Sequence, residues 1–120
     1  MGQPGLKGSA RLWAAFWNSV AGMRTCWRKE EAFRQEILVL MLALPLGIWL
    51  GKTGVERALL VGSVALIAIF ETLNSAVEAV VDRIGPDFHP LSGYAKDIAS
   101  ASVLLAIGLA MLVWGLILFD

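Results

Sequence analysis

"ALLVGSVALIAIFETLNSAVEAVVD", residues 58–82, decides the fold. Ala58 to Phe70 carries no charge. As a helix it covers only about 20 Å, against a hydrocarbon core of about 30 Å. A spanning helix must therefore run on into Glu71, Asn74, Ser75, Glu78 and Asp82. At about 100° per residue these five fall within an arc of about 100°, while Leu73, Val77 and Val80 lie elsewhere around the helix. The stretch reads as one membrane helix with a polar stripe. That stripe runs about 16 Å, from inside the membrane out to its surface. One such residue would read as hydrogen-bonding glue between helices. Five on one face at the boundary point to function, because a charged side chain in a membrane segment costs about 2.5–3.5 kcal/mol on insertion scales.

The rest of the chain agrees with a membrane setting. Of its 120 residues 58% are hydrophobic, and the mean hydropathy is +0.70. Soluble domains are about 45–50% apolar. The length suits one domain, residues 1–120. A formal net charge of zero gives no global signal for nucleic acid, and the lone Cys26 leaves no intrachain disulfide. Cysteine and histidine form no zinc pattern, and no Gly-rich phosphate loop occurs. The start does not read as a signal peptide, since the apolar run begins only at Ile37 with charges around it.

Residues 9–29 read as an amphipathic helix, with Ser9 as its N-cap. Trp13, Phe16, Trp17, Val20 and Trp27 share one face. Arg11, Asn18 and Lys29 lie opposite, while Arg24 interrupts the stripe, where its stem can snorkel. Aromatics on one face and basic residues on the other suit a helix lying in the membrane interface. Ile37 to Gly51 is a short apolar run that becomes a span of about 32–51 if the helix starts near Ala32, with Pro45 tolerated inside it. "KTG" (Lys52–Gly54) is a turn, and the next span covers 55–82. A loop is expected over Ile84–Gly93, where two prolines and two glycines cluster. The last span is 97–119. Trp49 and Trp114 read as interfacial anchors. The expected fold is thus an all-α membrane protein, an interfacial helix followed by three transmembrane helices.

Lys7, Arg11, Arg24, Arg28, Lys29 and Arg34 all precede the first span, which places the N-terminus in the cytoplasm. With three spans, the 82–97 connection is then cytoplasmic too, and "KTG" and Asp120 face outward. The unusual polar residues all gather on the cytoplasmic side.

Two glutamates and an amide on one stripe, with no basic residue among them, suggest a divalent cation. Magnesium takes hard oxygen ligands and is usually held by one or two carboxylates plus substrate phosphates. Glu71 is the deepest carboxylate and the candidate general base, because a desolvated carboxylate with a like-charged neighbour accepts a proton more readily than one in water. "KDIAS" (Lys96–Ser100) opens the last span, where Lys96 reads either as a membrane anchor or as a phosphate-binding cation. "RKEEAFRQE" (Arg28–Glu36) mixes charges at the membrane entrance and reads as a solvated face with a Glu30–Arg34 pair. His89, between prolines, reads as an exposed loop residue.

"EAFRQE" before the first span, "ETLNSAVEAVVDRIG" closing the second and "HPLSGYAKD" before the third resemble the small prokaryotic diacylglycerol kinases. The resemblance extends from about Arg11 to the end of the last span. It implies a homotrimer in the bacterial inner membrane, with each active site shared between neighbouring subunits. The implied reaction is transfer of the ATP γ-phosphate to the primary hydroxyl of diacylglycerol, which gives phosphatidic acid. Glu71 matches the family's catalytic base. Glu30 and Glu78 match the carboxylates that hold Mg2+ on ATP, and Asn74 matches a polar residue that supports this group. Lys96 and Asp97 match a nucleotide-contacting pair. Arg11 and Asn18 match positions on the first helix that face nucleotide and lipid, and Asp87, Phe88 and His89 match the loop over the nucleotide. Arg34, Gln35 and Ser100 match positions on the lipid side. Asn18 departs from relatives with tyrosine there, "GPDFHP" adds prolines to the loop, and Glu31 directly follows Glu30.

Two other activities fit the same residues. An undecaprenol kinase would share fold and site but take a polyprenyl substrate. A small proton-coupled transporter would use the intramembrane carboxylates without ATP turnover.

Overall fold

The computed structural model describes Gly5 and residues 7–120. Within them the chain is four helices, with no strand among the described residues. They are α1 (Gly8–Lys29), α2 (Glu31–Leu50), α3 (Gly54–Ile84) and α4 (Pro90–Leu118). The last three are long and apolar enough to cross a membrane. The central helix is α3, which packs against both α2 and α4.

Between membrane helices the hydrophobic effect is largely absent, so close packing must come from small side chains. The buried residues show this. Ala43 and Gly47 are the buried pair in the apolar part of α2, and Ala106 and Ala110 are the buried pair of α4. Each pair is spaced by four residues and therefore lies on one helical face. Ala106 and Ala110 pack on Ile67 of α3, with Phe70, Val103 and Ile107 around them. One polar tie reinforces the contact: Trp114 Nε1 donates to the Leu60 carbonyl at 2.9 Å. The residue expected as an interfacial anchor thus binds α4 to α3. Trp49, by contrast, is exposed.

The turns follow local chemistry. α1 ends at Glu30, whose extended backbone (φ −112°, ψ 105°) breaks the helical path before α2. The Arg34 Nη1 then donates to the carbonyls of Trp27 (2.7 Å) and Arg28 (3.2 Å). A cation over the last carbonyls of a helix both satisfies them and offsets the dipole. This contact replaces the expected Glu30–Arg34 pair, which does not form among the described residues. Ser9 is not the cap of α1 either: the helix starts one residue earlier, after Lys7, without a side-chain cap.

Between α2 and α3, Thr53 is a true N-cap. Its hydroxyl accepts from the Glu56 N–H at 3.1 Å, and the Glu56 carboxylate reaches back to the Lys52 N–H at 2.8 Å. This is a capping box displaced by one residue. Arg57 Nε closes the corner on the Gly51 carbonyl at 3.1 Å. α4 begins at Pro90, seven residues before the expected start at 97. The prolines suggested a loop, yet Pro90 occupies the first turn, where its missing N–H costs nothing. His89 caps this helix, its Nδ1 accepting from the Leu91 N–H at 3.1 Å.

Two glycines are required by geometry. A Cβ on Gly51 would lie 2.9 Å from the Arg57 backbone nitrogen and 3.0 Å from the Gly47 carbonyl oxygen. Gly85 ends α3 at φ +149°, ψ +169°, a region open essentially only to glycine. Gly51→Val should therefore lower stability by about 1–3 kcal/mol through overpacking. Gly85→Ala should cost about 1–3 kcal/mol through backbone strain. Denaturant unfolding in detergent micelles measures both; an unchanged midpoint for either variant would contradict the geometry.

Candidate active site

α3 is 31 residues long, or about 46 Å, which is more than the hydrocarbon core needs. If the core begins at Ala58, after the charged Glu56 and Arg57, then Glu71 lies about 20 Å in, Glu78 about 30 Å and Asp82 about 36 Å. Burial follows the same order. Glu71 is only 7% exposed, Asn74 and Ser75 are buried, Glu78 is half-buried and Asp82 is exposed. The stripe is thus a ramp from apolar surroundings to water.

The Asn74 amide organises its middle. Its Nδ2 donates to Glu78 Oε1 at 2.8 Å across one helical turn. Its Oδ1 is buried and has no partner. A buried acceptor left alone costs about 1–3 kcal/mol, so this oxygen calls for a donor or a cation.

Other elements bring more carboxylates. Glu71 lies within electrostatic reach of Glu36, Glu78 and Glu30. Glu30 enters because the break after α1 turns the chain there, and Glu36 faces Glu71 from the second turn of α2. Cys26 joins the same corner: burial first, then the Glu30 and Glu71 carboxylates, push its thiol pKa up. A cleft of about 490 Å³ between α1 and α3 is lined by Cys26, Lys29, Glu30, Thr72 and Ser75, among others. Glu36 and Cys26 carried no assigned role in the sequence. Glu36 could have been found there, because it is a carboxylate that directly precedes the first apolar run.

Across from the stripe, Lys96 of α4 makes an ion pair with Asp82, Nζ to Oδ1 2.8 Å. The same ammonium lies within electrostatic reach of Glu78. The structure therefore gathers Glu30, Glu71, Asn74, Glu78 and Lys96 around the C-terminal half of α3. It does not gather every expected residue. Arg11 and Asn18 lie on the exposed surface of α1. Asp97 and Ser100 are exposed on α4. Arg34 is committed to the α1 carbonyls, and Gln35 makes a long 3.5 Å contact to Glu31. Asp87, Phe88 and His89 border a separate cleft of about 370 Å³ at the α3–α4 connection.

The donor set fits magnesium. Carboxylates and the orphaned amide oxygen of Asn74 are hard oxygen ligands, and the stripe itself holds no basic side chain. No group of three or more acidic, histidine or cysteine side chains forms a preformed metal cage among the described residues. Magnesium arriving on substrate phosphates needs only one or two carboxylates.

Comparison with known proteins identifies the lineage. The family model described as prokaryotic diacylglycerol kinase matches residues 17–118. The chain is 47% identical to the diacylglycerol kinase of Escherichia coli K12 over 94% of its own length and 93% of that protein's. It is 48% identical to the Haemophilus influenzae diacylglycerol kinase over 84% of this chain and 86% of the relative. With the Pseudomonas aeruginosa diacylglycerol kinase it shares 41% identity over 98% and 93% of the two chains. Together with its three apolar helices, these matches make it a bacterial membrane protein. The chain belongs to the prokaryotic diacylglycerol kinase family.

Proposed function

We propose that the protein transfers the γ-phosphate of ATP to the primary hydroxyl of diacylglycerol, giving phosphatidic acid, at the cytoplasmic face of the bacterial inner membrane. The observation that carries this reading is the burial ramp of α3. A buried carboxylate, Glu71, lies about two helical turns below the half-buried Glu78. One substrate is dissolved in lipid and the other in water, so their reacting groups meet only at the headgroup boundary. A base for the lipid hydroxyl belongs just inside that boundary, and phosphate ligands belong just outside it.

Glu71 takes the hydroxyl proton as the oxygen attacks the γ-phosphorus. General-base help of this kind contributes about 10²–10⁴-fold. Glu30 and Glu78 are the residues to hold Mg2+ on ATP, which would neutralise charge on the phosphoryl oxygens. Asn74 fixes the Glu78 carboxylate and offers its free Oδ1 to the same group. Lys96 takes the phosphates, with Asp97 beside it, and stabilises charge that develops in the transition state. Phosphoryl transfer relies mainly on such positioning and electrostatics.

Arg11, Asn18, Asp87, Phe88 and His89 are assigned to the nucleotide, and Arg11, Arg34, Gln35 and Ser100 to the lipid. Within one chain these residues lie on several faces. A homotrimer with sites shared between neighbours would close that separation. In this reading α1 lies in the interface, its Trp13–Trp17 and Phe16–Trp17 ring pairs turned to lipid. The N-terminus is cytoplasmic and the C-terminus periplasmic.

Purified protein in mixed micelles with Mg-ATP should phosphorylate diacylglycerol. Absence of phosphatidic acid would sink the proposal, and preference for undecaprenol in a parallel assay would reassign the lipid. Glu71→Gln should lower kcat by about 10²–10⁴-fold while leaving assembly intact on size-exclusion chromatography. Full activity in this variant would refute the base. Glu78→Gln should raise the Mg2+ concentration needed for half-maximal rate, and chelation by EDTA should abolish turnover. A rate indifferent to EDTA would remove the metal from the mechanism.

A further inference from the structure

Asp82 has no place in the mechanism above, yet it makes the ion pair nearest the site. It lies in the last turn of α3, where the helix dipole disfavours a carboxylate. Its partner Lys96 is in the second turn of α4, and the pair ties the cytoplasm-proximal ends of the two helices at 2.8 Å. The ammonium also feels Glu78, but it is Asp82 that it contacts.

Exposure decides what this pair can do. The Asp82 side chain is 66% exposed and that of Lys96 44%. Such a pair contributes a factor of only about 1.4–5 to an equilibrium. It is too weak to hold Lys96 rigidly in one pose. It is strong enough to occupy the ammonium until a better anion arrives. A polyphosphate carries more charge than one carboxylate and presents several acceptor oxygens to the three donors of a lysine.

We propose that Asp82 is an exchangeable counter-ion for Lys96. It holds the ammonium away from Glu78 while the site is empty and yields it to the phosphates when nucleotide binds. Because the phosphates must displace it, Asp82 weakens nucleotide binding and hastens departure of the product ADP. This rests on the reading of Lys96 as the phosphate-binding cation. Asp82 is then a positioning residue that acts through Lys96.

The test is calorimetric titration of the purified full chain with ADP in excess Mg2+, which binds without turnover. Asp82→Asn should tighten Mg-ADP binding by about two- to fivefold, and Asp82→Glu should restore the original affinity. The gain should vanish when Lys96→Ala is also present, since then no ammonium is left to release. Unchanged or weaker binding by Asp82→Asn would overturn the proposal. So would an equal gain in the Lys96→Ala background, which would mark simple repulsion between carboxylate and phosphate. Lys96→Ala by itself separates the two levels: weaker Mg-ADP binding supports Lys96 on the phosphates whatever Asp82 does, whereas unchanged binding removes that reading and the counter-ion with it.

Discussion

Carboxylates are costly in hydrocarbon, and the architecture is organised around where α3 can keep them. Glu71 is placed inside the apolar layer, yet it belongs to a helix long enough to reach water within three more turns. Every other element serves that helix. α2 and α4 shield it through small residues, Ala43 and Gly47 on one side and Ala106 and Ala110 on the other. The break at Glu30 brings α1 over its C-terminal half. Glu71 lies among Asn74, Glu30, Glu36 and Glu78.

The grouping has an electrostatic consequence. Three carboxylates within electrostatic reach of Glu71, one unpartnered amide oxygen and one lysine already paired elsewhere leave the site short of positive charge. A site of that kind is poised for a cation that comes with its substrate. In the reaction we propose, Mg-ATP would bring such a cation together with phosphates for Lys96. On that proposal the charges would match in two places, carboxylate to metal and ammonium to phosphate.

Much of this was legible in the residues. The polar stripe could be read because helical periodicity places residues 71, 74, 75, 78 and 82 on one face irrespective of context. The three apolar helices followed from hydropathy, since a bilayer leaves few ways to satisfy a backbone. The start of α4 is ambiguous in sequence because proline breaks a helix interior but favours a first turn, and the His89 cap distinguishes the two. The Arg34 contact is not legible there, because an i,i+4 partner is evident in sequence, whereas carbonyls six and seven residues back, freed by the chain break at Glu30, are not. Sequence alone suggests an anchor at Trp114 because its partner, the Leu60 carbonyl, lies 54 residues away.

The sequence by itself determined the helices, their apolar lengths, the ramp of polar residues on one of them and, through its motifs, the family. These are local properties: period, composition and spacing do not depend on what packs against them. Tertiary structure decided which groups meet. It set Glu36 and Cys26 beside Glu71, left Asn74 Oδ1 without a partner, turned Arg34 onto the end of α1 and joined Lys96 to Asp82. Such contacts arise between helices whose rotation and offset are set by small-residue packing and by turn geometry. No periodicity within a single helix encodes them.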